Sequence, residues 1–289
     1  MNRFLRWGMA AKGKRNHAVW LNAMRLLQIY RANFKTTLAV QLQYRVSAVI
    51  WLIGLVITPV VYLVVWGTVA NASGGAVGGY NAAEFAAYYI AMMVVNHLTF
   101  VWHMWEYDFR IREGLLSPML LRPLHPIHVD IAENLSYKAV TSLVLIPITI
   151  VLAFIFRPAW NLTWGSAAAF LPALVLAFFV QFFFGWTLAM AAFWTTRINA
   201  INRTYFLGKL FLAGQMAPIA LLPPALQTVS SFTPFRWMLS FPVEVLLGRL
   251  TTSQIVWGLG AQAIWVVLGL TAVKIVWRAG IRRYAAFGA

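Results

Sequence analysis

Six apolar runs, each free or nearly free of charge, constrain this chain more than any other feature. They cover residues 46–69, 85–105, 139–156, 165–196, 205–222 and 255–277. A helix needs about 20 apolar residues to cross the ~30 Å hydrocarbon core, so most of these runs are long enough and the third lies near the lower limit. Apolar residues make up 61% of the chain and charged residues 10%, far from the roughly 25% charged residues of a soluble domain. The expectation is an all-α membrane protein with six transmembrane helices. Lys209 and Lys274 lie near span ends, where they are expected to snorkel.

Charge distribution sets the expected orientation. With both termini in the cytoplasm, the inside segments hold nine basic residues before the first run and four between Arg110 and Lys138. They also hold Arg197, Arg203 and Lys209, and four after Val273, so 20 of 23 lie inside. Arg157, Arg236 and Arg249 remain outside, which fits the positive-inside rule. The net charge of +16 is then a topology signal, and its dispersal over four segments argues against a nucleic-acid reader. Residues 1–18 are basic without a following apolar segment and cleavage site, so a retained N-terminus is expected. The chain has no cysteine, which excludes disulfides and thiolate metal sites.

Between Asn16 and Tyr44, apolar residues recur at Trp20, Met24, Leu27, Phe34 and Leu38, with Arg25, Arg31 and Lys35 at other positions. That spacing predicts an amphipathic helix on the inner membrane surface. Residues 71–81 carry four glycines and predict a flexible outer turn. After the fifth run, Pro218, Pro223, Pro224, Pro234 and Pro242 divide the chain into pieces too short to cross. Such pieces are expected as re-entrant half-helices over the outer mouth of a pathway, because bare backbone at that depth must be buried in protein or face water.

The segment from Asp108 to Pro126 is charged and punctuated by proline. A short helix is expected from about Glu106 to Leu116, stopped by Ser117-Pro118, since proline disfavours helix in the residue before it. An apolar turn of Met119, Leu120 and Leu121 follows, closed by Arg122-Pro123. Leu115, Leu116, Leu120 and Leu121 form an apolar knob flanked by Arg110, Arg112, Glu113 and Arg122. Two readings stay open on chemistry alone: a knob for a cleft on a soluble partner, or leucines resting on lipid headgroups.

Arg-Glu-Gly-Leu-Leu at 112–116 and Leu-Leu-Arg-Pro-Leu at 120–124 together resemble the cytoplasmic loop of ABC-2 type permeases, in particular the bacterial branch with a Leu-Arg-Pro-Leu signature. In that family an acidic residue followed by glycine opens the loop, and Glu113 and Gly114 match. The resemblance implies that Arg112, Glu113, Gly114, Leu115, Leu116, Leu120, Leu121, Arg122 and Pro123 couple the protein to a separate ABC ATPase. It also implies two outer half-helices between the fifth and sixth spans, and an N-terminal helix linking the ATPase to the first span.

The resemblance organises the chain as a cytoplasmic N-terminus (1–45), a six-span permease domain (46–277) and a cytoplasmic tail (278–289). A coupling loop (106–138) and an outer re-entrant region (223–252) lie within the permease domain. Asn96 and His97 in the second run and Gln215 in the fifth are polar groups at lipid depth, where helix packing is one explanation. By resemblance, the second and fifth spans line the central path, so these positions, with Phe100, Phe211 and Met216, form the expected substrate-facing set.

Other chemistry is missing. Gly8-Met-Ala-Ala-Lys-Gly-Lys14 has the spacing of a phosphate loop, but Arg15 replaces the required Ser or Thr and no strand precedes it. The seven acidic residues, Glu84, Glu106, Asp108, Glu113, Asp130, Glu133 and Glu244, avoid the centres of the runs, unlike those of ion-coupled carriers. His125 and His128 lack a third ligand, so no metal site is expected. The expected function is therefore a non-enzymatic permease subunit of an ATP-driven exporter in the bacterial cytoplasmic (inner) membrane, with ATP and Mg bound by the partner ATPase and no cofactor of its own. Its partners would be ATPase subunits, a second permease and the lipid bilayer, and its cargo hydrophobic or amphipathic. A non-transport scaffold and an ion-coupled secondary carrier are the alternatives.

Overall fold

The computed structural model describes residues 27–43, 45–122, 124–195 and 198–284. Trp20, Met24, Arg25, the Gly8–Arg15 segment, Pro123 and Arg197 lie outside the described residues. Helix α1 (27–43) is followed by α2 (Arg45–Ala72), a two-stranded hairpin of β1 (Ala76–Val77) and β2 (Tyr80–Asn81), and α3 (Ala82–Thr99). Then come α4 (His103–Arg112), α5 (Leu116–Leu120), α6 (Pro126–Phe156), α7 (Trp164–Ala189) with a 3-10 turn (Met190–Phe193), and α8 (Ile198–Leu212). Three short helices, α9 (Pro224–Phe232), α10 (Pro234–Met238) and α11 (Ser240–Leu246), precede the last long helix, α12 (Thr252–Ile281).

Among the described residues, four helical segments are long and apolar enough to cross a membrane: Ala82–Arg112, Pro126–Phe156, Trp164–Phe193 and Thr252–Ile281. Val56–Ala72 of α2 is a shorter apolar helix. Two ends of the bundle can be told apart: a hairpin end with residues 73–81, and a loop end with residues 113–125. Helices α3, α7 and α12 all begin at the hairpin end, each with a reciprocal capping box: Asn81 with Glu84, Thr163 with Ser166, and Thr251 with Gln254. The pairing satisfies backbone donors that a helix start otherwise leaves open. Helix α3 is the most buried and α7 packs along α12, while α6 and α12 keep their apolar outer faces uncovered.

Several expectations are corrected. The turn at 71–81 is a paired hairpin with Tyr80 buried beneath the Arg249 guanidinium, 3.6 Å from the ring centre. The third apolar run is the second half of a longer helix, because α6 begins at Pro126, whose missing N–H is no loss at a helix start. The fifth run is not one helix: α8 ends at Leu212, and Gly214 takes φ +79°, a conformation that costs little only for glycine. Lys209 does not snorkel; it is 1% exposed.

Prolines start the short helices after the break. Pro224 and Pro234 occupy the first turns of α9 and α10, where their fixed φ suits a helix start. The irregular backbone before them is satisfied by side chains from the long helices. Tyr88 donates to Gly214 O at 2.8 Å, and both Tyr89 and Trp66 donate to Met216 O at 2.8 Å. Arg249, just before α12, donates to Glu84 at 2.7 Å and to Gly79 O at 2.8 Å. It thereby pins the α11–α12 connection to the hairpin.

Candidate functional site

The charged helix at the loop end runs from His103 to Arg112, not from Glu106 to Leu116. Its stop signal is Gly114, at φ +71°, whereas Pro118 sits inside the first turn of α5, a position proline tolerates. The expected docking leucines divide into two groups. Leu116 is fully buried with Met104, Tyr107 and Trp186 in the core beneath the loop. Leu115, Leu120 and Leu121 are exposed, with Leu121 at 88%. Arg112 pairs with Asp108 at 2.8 Å, and Glu113 and Arg122 are exposed beside the leucines. Ser117 Oγ lies 2.8 Å from Tyr284 Oη, joining α5 to the residues that follow α12.

Beneath this loop is a polar cluster that the sequence reading did not anticipate. Asp130 on α6 is 0% exposed and accepts hydrogen bonds from Tyr107 Oη at 2.7 Å, Arg110 Nη1 at 2.7 Å and Trp186 Nε1 at 2.9 Å. A buried carboxylate is tolerable only with such donors, and the charged ones are the strongest. Arg110 also holds Glu106 at 2.8 Å and Glu133 at 3.7 Å, and Trp102 Nε1 donates to Glu106 at 2.7 Å. One carboxylate therefore ties α4, α6 and α7 together below the exposed leucines. The available signal was Asp130 and Glu133 following the charged segment that holds Arg110, in a chain with only seven acidic side chains.

His125 caps α6, its Nδ1 accepting from Ile127 N at 3.3 Å. Burial, reinforced by nearby His128, holds its imidazole below the usual pKa, which keeps that nitrogen free to accept.

The expected path residues fall into separate places. Asn96 Oδ1 accepts from Lys209 Nζ and Gln215 Nε2, both at 3.1 Å, bringing the second and fifth apolar runs together. Asn96 and Gln215 line a cavity of about 190 Å³ with Thr58, Tyr62, Tyr89 and Leu210, between α2, α3 and α8. Met216 and Phe211 are exposed and do not line it. His97 points the other way: it is buried, with Nε2 3.1 Å from Thr141 Oγ1 on α6.

Phe100 lies at the break between α3 and α4, under the Lys209 ammonium at 5.4 Å from the ring centre. Its carbonyl accepts from Lys138 Nζ at 2.6 Å, and Lys138 also donates to Asn134. The arrangement offers hydrogen-bonding and aromatic surface within an apolar bundle. Among the described residues, no three His, Asp or Glu side chains gather to hold a metal ion.

Comparison with curated proteins finds no match. The family model for ABC-2 family transporter proteins matches residues 55–288. That match takes in the loop, the buried Asp130 cluster and the α3–α8 cavity, and the chain belongs to this family of membrane transport components.

Proposed function

We propose that this protein is the six-span permease subunit of an ATP-driven exporter that moves a hydrophobic or amphipathic substrate out of the cytoplasm or inner leaflet. In this reading α2 and α8 complete the six spans, and the short helices α9–α11 are re-entrant at the outer face. Both termini and the loop end face the cytoplasm of a bacterial inner membrane. A second permease, identical or a sibling, completes the path, and two ATPase subunits bind ATP and Mg.

The observation that carries the reading is the exposed apolar knob of Leu115, Leu120 and Leu121, mounted on a platform fixed by Asp130. Exposed leucines beside Arg112, Glu113 and Arg122 suit an apolar cleft with a polar rim on a soluble partner. Closure of the ATPases on ATP would push the knob, and the Asp130 cluster would pass that displacement as one rigid piece to α4, α6 and α7.

The test is Leu121→Asp, with Leu120→Asp as its companion. Both side chains are exposed in the isolated chain, so insertion and folding are expected to survive. A charge placed in an apolar cleft costs on the order of several kcal/mol, so ATPase co-purification and substrate-stimulated ATPase activity should fall together. Unchanged association would remove the knob from the coupling role. Transport that needs no ATPase and collapses with an ion gradient would favour a secondary carrier.

A further inference from the structure

A groove of about 570 Å³ opens between α4 and α8, on the other side of Leu210 from the Asn96–Gln215 cavity. Its wall is aromatic, with Trp105 and Phe206 stacked 4.9 Å apart at 13°. At the loop end of this wall, Asn199 and Arg203 are exposed one helical turn apart. Between them Asn202 is 2% exposed, and neither its Oδ1 nor its Nδ2 has a hydrogen-bond partner among the described residues. Buried side-chain amides are nearly always satisfied, so this one marks a place for a polar ligand group.

The charge balance decides which kind of group. The chain has seven carboxylates, and six are in ion pairs: Glu84 with Arg249, Glu244 with Arg236, Asp108 with Arg112, and Glu106, Asp130 and Glu133 with Arg110. None lines the groove or the cavity. Arg203 has no ion pair among the described residues, and deeper along the same helix Lys209 meets the Asn96 amide oxygen and the face of Phe100. The groove thus carries the unmatched positive charge of Arg203 and no counter-charge for a cation.

We infer that the α4–α8 groove is the entry site for a cargo amphiphile with an anionic head group, a substrate class that rests on the path reading above. The head group binds Arg203 and the amides of Asn199 and Asn202. Its apolar tail lies on Trp105 and Phe206 and points past Leu210 toward Asn96 and Gln215.

The test uses the full chain in phosphatidylcholine nanodiscs with two photoreactive probes of equal chain length, a diazirine-bearing alkyl phosphate and the corresponding alkyl trimethylammonium. The phosphate probe should label peptides containing residues 199–210. Labelling should drop about tenfold or more in Arg203→Gln, as expected for loss of one charge-assisted contact, and return in Arg203→Lys. Arg203 is exposed, so the Gln variant is expected to fold, and ATPase association, disrupted by Leu121→Asp, should be untouched by it. Equal labelling by the ammonium probe, or unchanged labelling in Arg203→Gln, overturns the inference while leaving the permease reading intact. Competition by phosphatidylglycerol as effective as that by unlabelled alkyl phosphate would reassign the groove to bilayer lipid and also overturn it.

Discussion

Replacing Asp130 with alanine should be among the most damaging single changes at the loop end. Tyr107 Oη and Trp186 Nε1, both on fully buried side chains, lose their acceptor, and each orphaned donor costs about 1–3 kcal/mol. Arg110 suffers less, because Glu106 and Glu133 remain within 2.8 and 3.7 Å. The sum is about 3–5 kcal/mol, the range for breaking a buried charge pair from one side. Asp130→Asn keeps one acceptor oxygen and should lose roughly half as much.

Thermal unfolding in nanodiscs, followed by tryptophan emission, should rank wild type above Asn and Asn above Ala, at roughly 2 °C per kcal/mol for a chain of this size. Substrate-stimulated ATPase activity should fall further than stability does, because the knob would lose its rigid mount. The paired replacement Arg110→Leu with Asp130→Leu should not recover the loss, since it leaves Tyr107 and Trp186 without their acceptor and takes Arg110 away from Glu106 and Glu133. An alanine variant within about 1 kcal/mol of wild type, or a double variant more stable than the alanine variant, would refute the view of Asp130 as the tie between α4, α6 and α7.

Other expectations follow from the same geometry. Gly214→Ala should destabilise the chain by about 1–3 kcal/mol, because φ is +79° and a Cβ would sit 2.5 Å from Tyr88 Oη; a normal melting point would contradict it. Reporter fusions after Gly79 and Asn161 should lie outside and fusions at Ser117, Asn199 and Ala289 inside, and an external C-terminus would sink the six-span topology. Cysteines at Asn96 and Gln215 should be labelled from water in an ATP-dependent way, and nucleotide-independent protection at both would remove them from the path. Phe178 would make a poor lipid-facing control, being 6% exposed, so Phe154, exposed on α6, takes that role.

The membrane character and the long apolar helices were legible because lipid-depth segments must be apolar almost throughout. Helix boundaries were not legible wherever charge was satisfied inside the protein. Asp130, Glu133 and Lys138 ended the third apolar run on paper, yet their partners let α6 continue through them. The opposite failure occurred at 205–222, where unbroken apolarity hid the end of α8 at Leu212 and the turn at Gly214. In the candidate path, polarity alone selected Asn96 and Gln215, which meet. It also selected His97, which faces α6, because composition does not resolve which side of a helix a neighbour occupies. The Asp130 cluster stayed hidden for a related reason: its partners come from three helices, and only the fold brings them together.

The two carbonyls at the break after α8 differ in how much damage they can absorb. Met216 O takes one hydrogen bond from Tyr89 on α3 and another from Trp66 on α2, filling both of its lone pairs. Gly214 O has the Tyr88 hydroxyl as its side-chain donor. Trp66→Phe therefore removes a bond and strands nothing, whereas Tyr88→Phe leaves a buried acceptor dry. The break is redundantly fastened where α2 meets it and singly fastened two residues earlier, so α2 can part from it without unravelling the backbone that α3 holds.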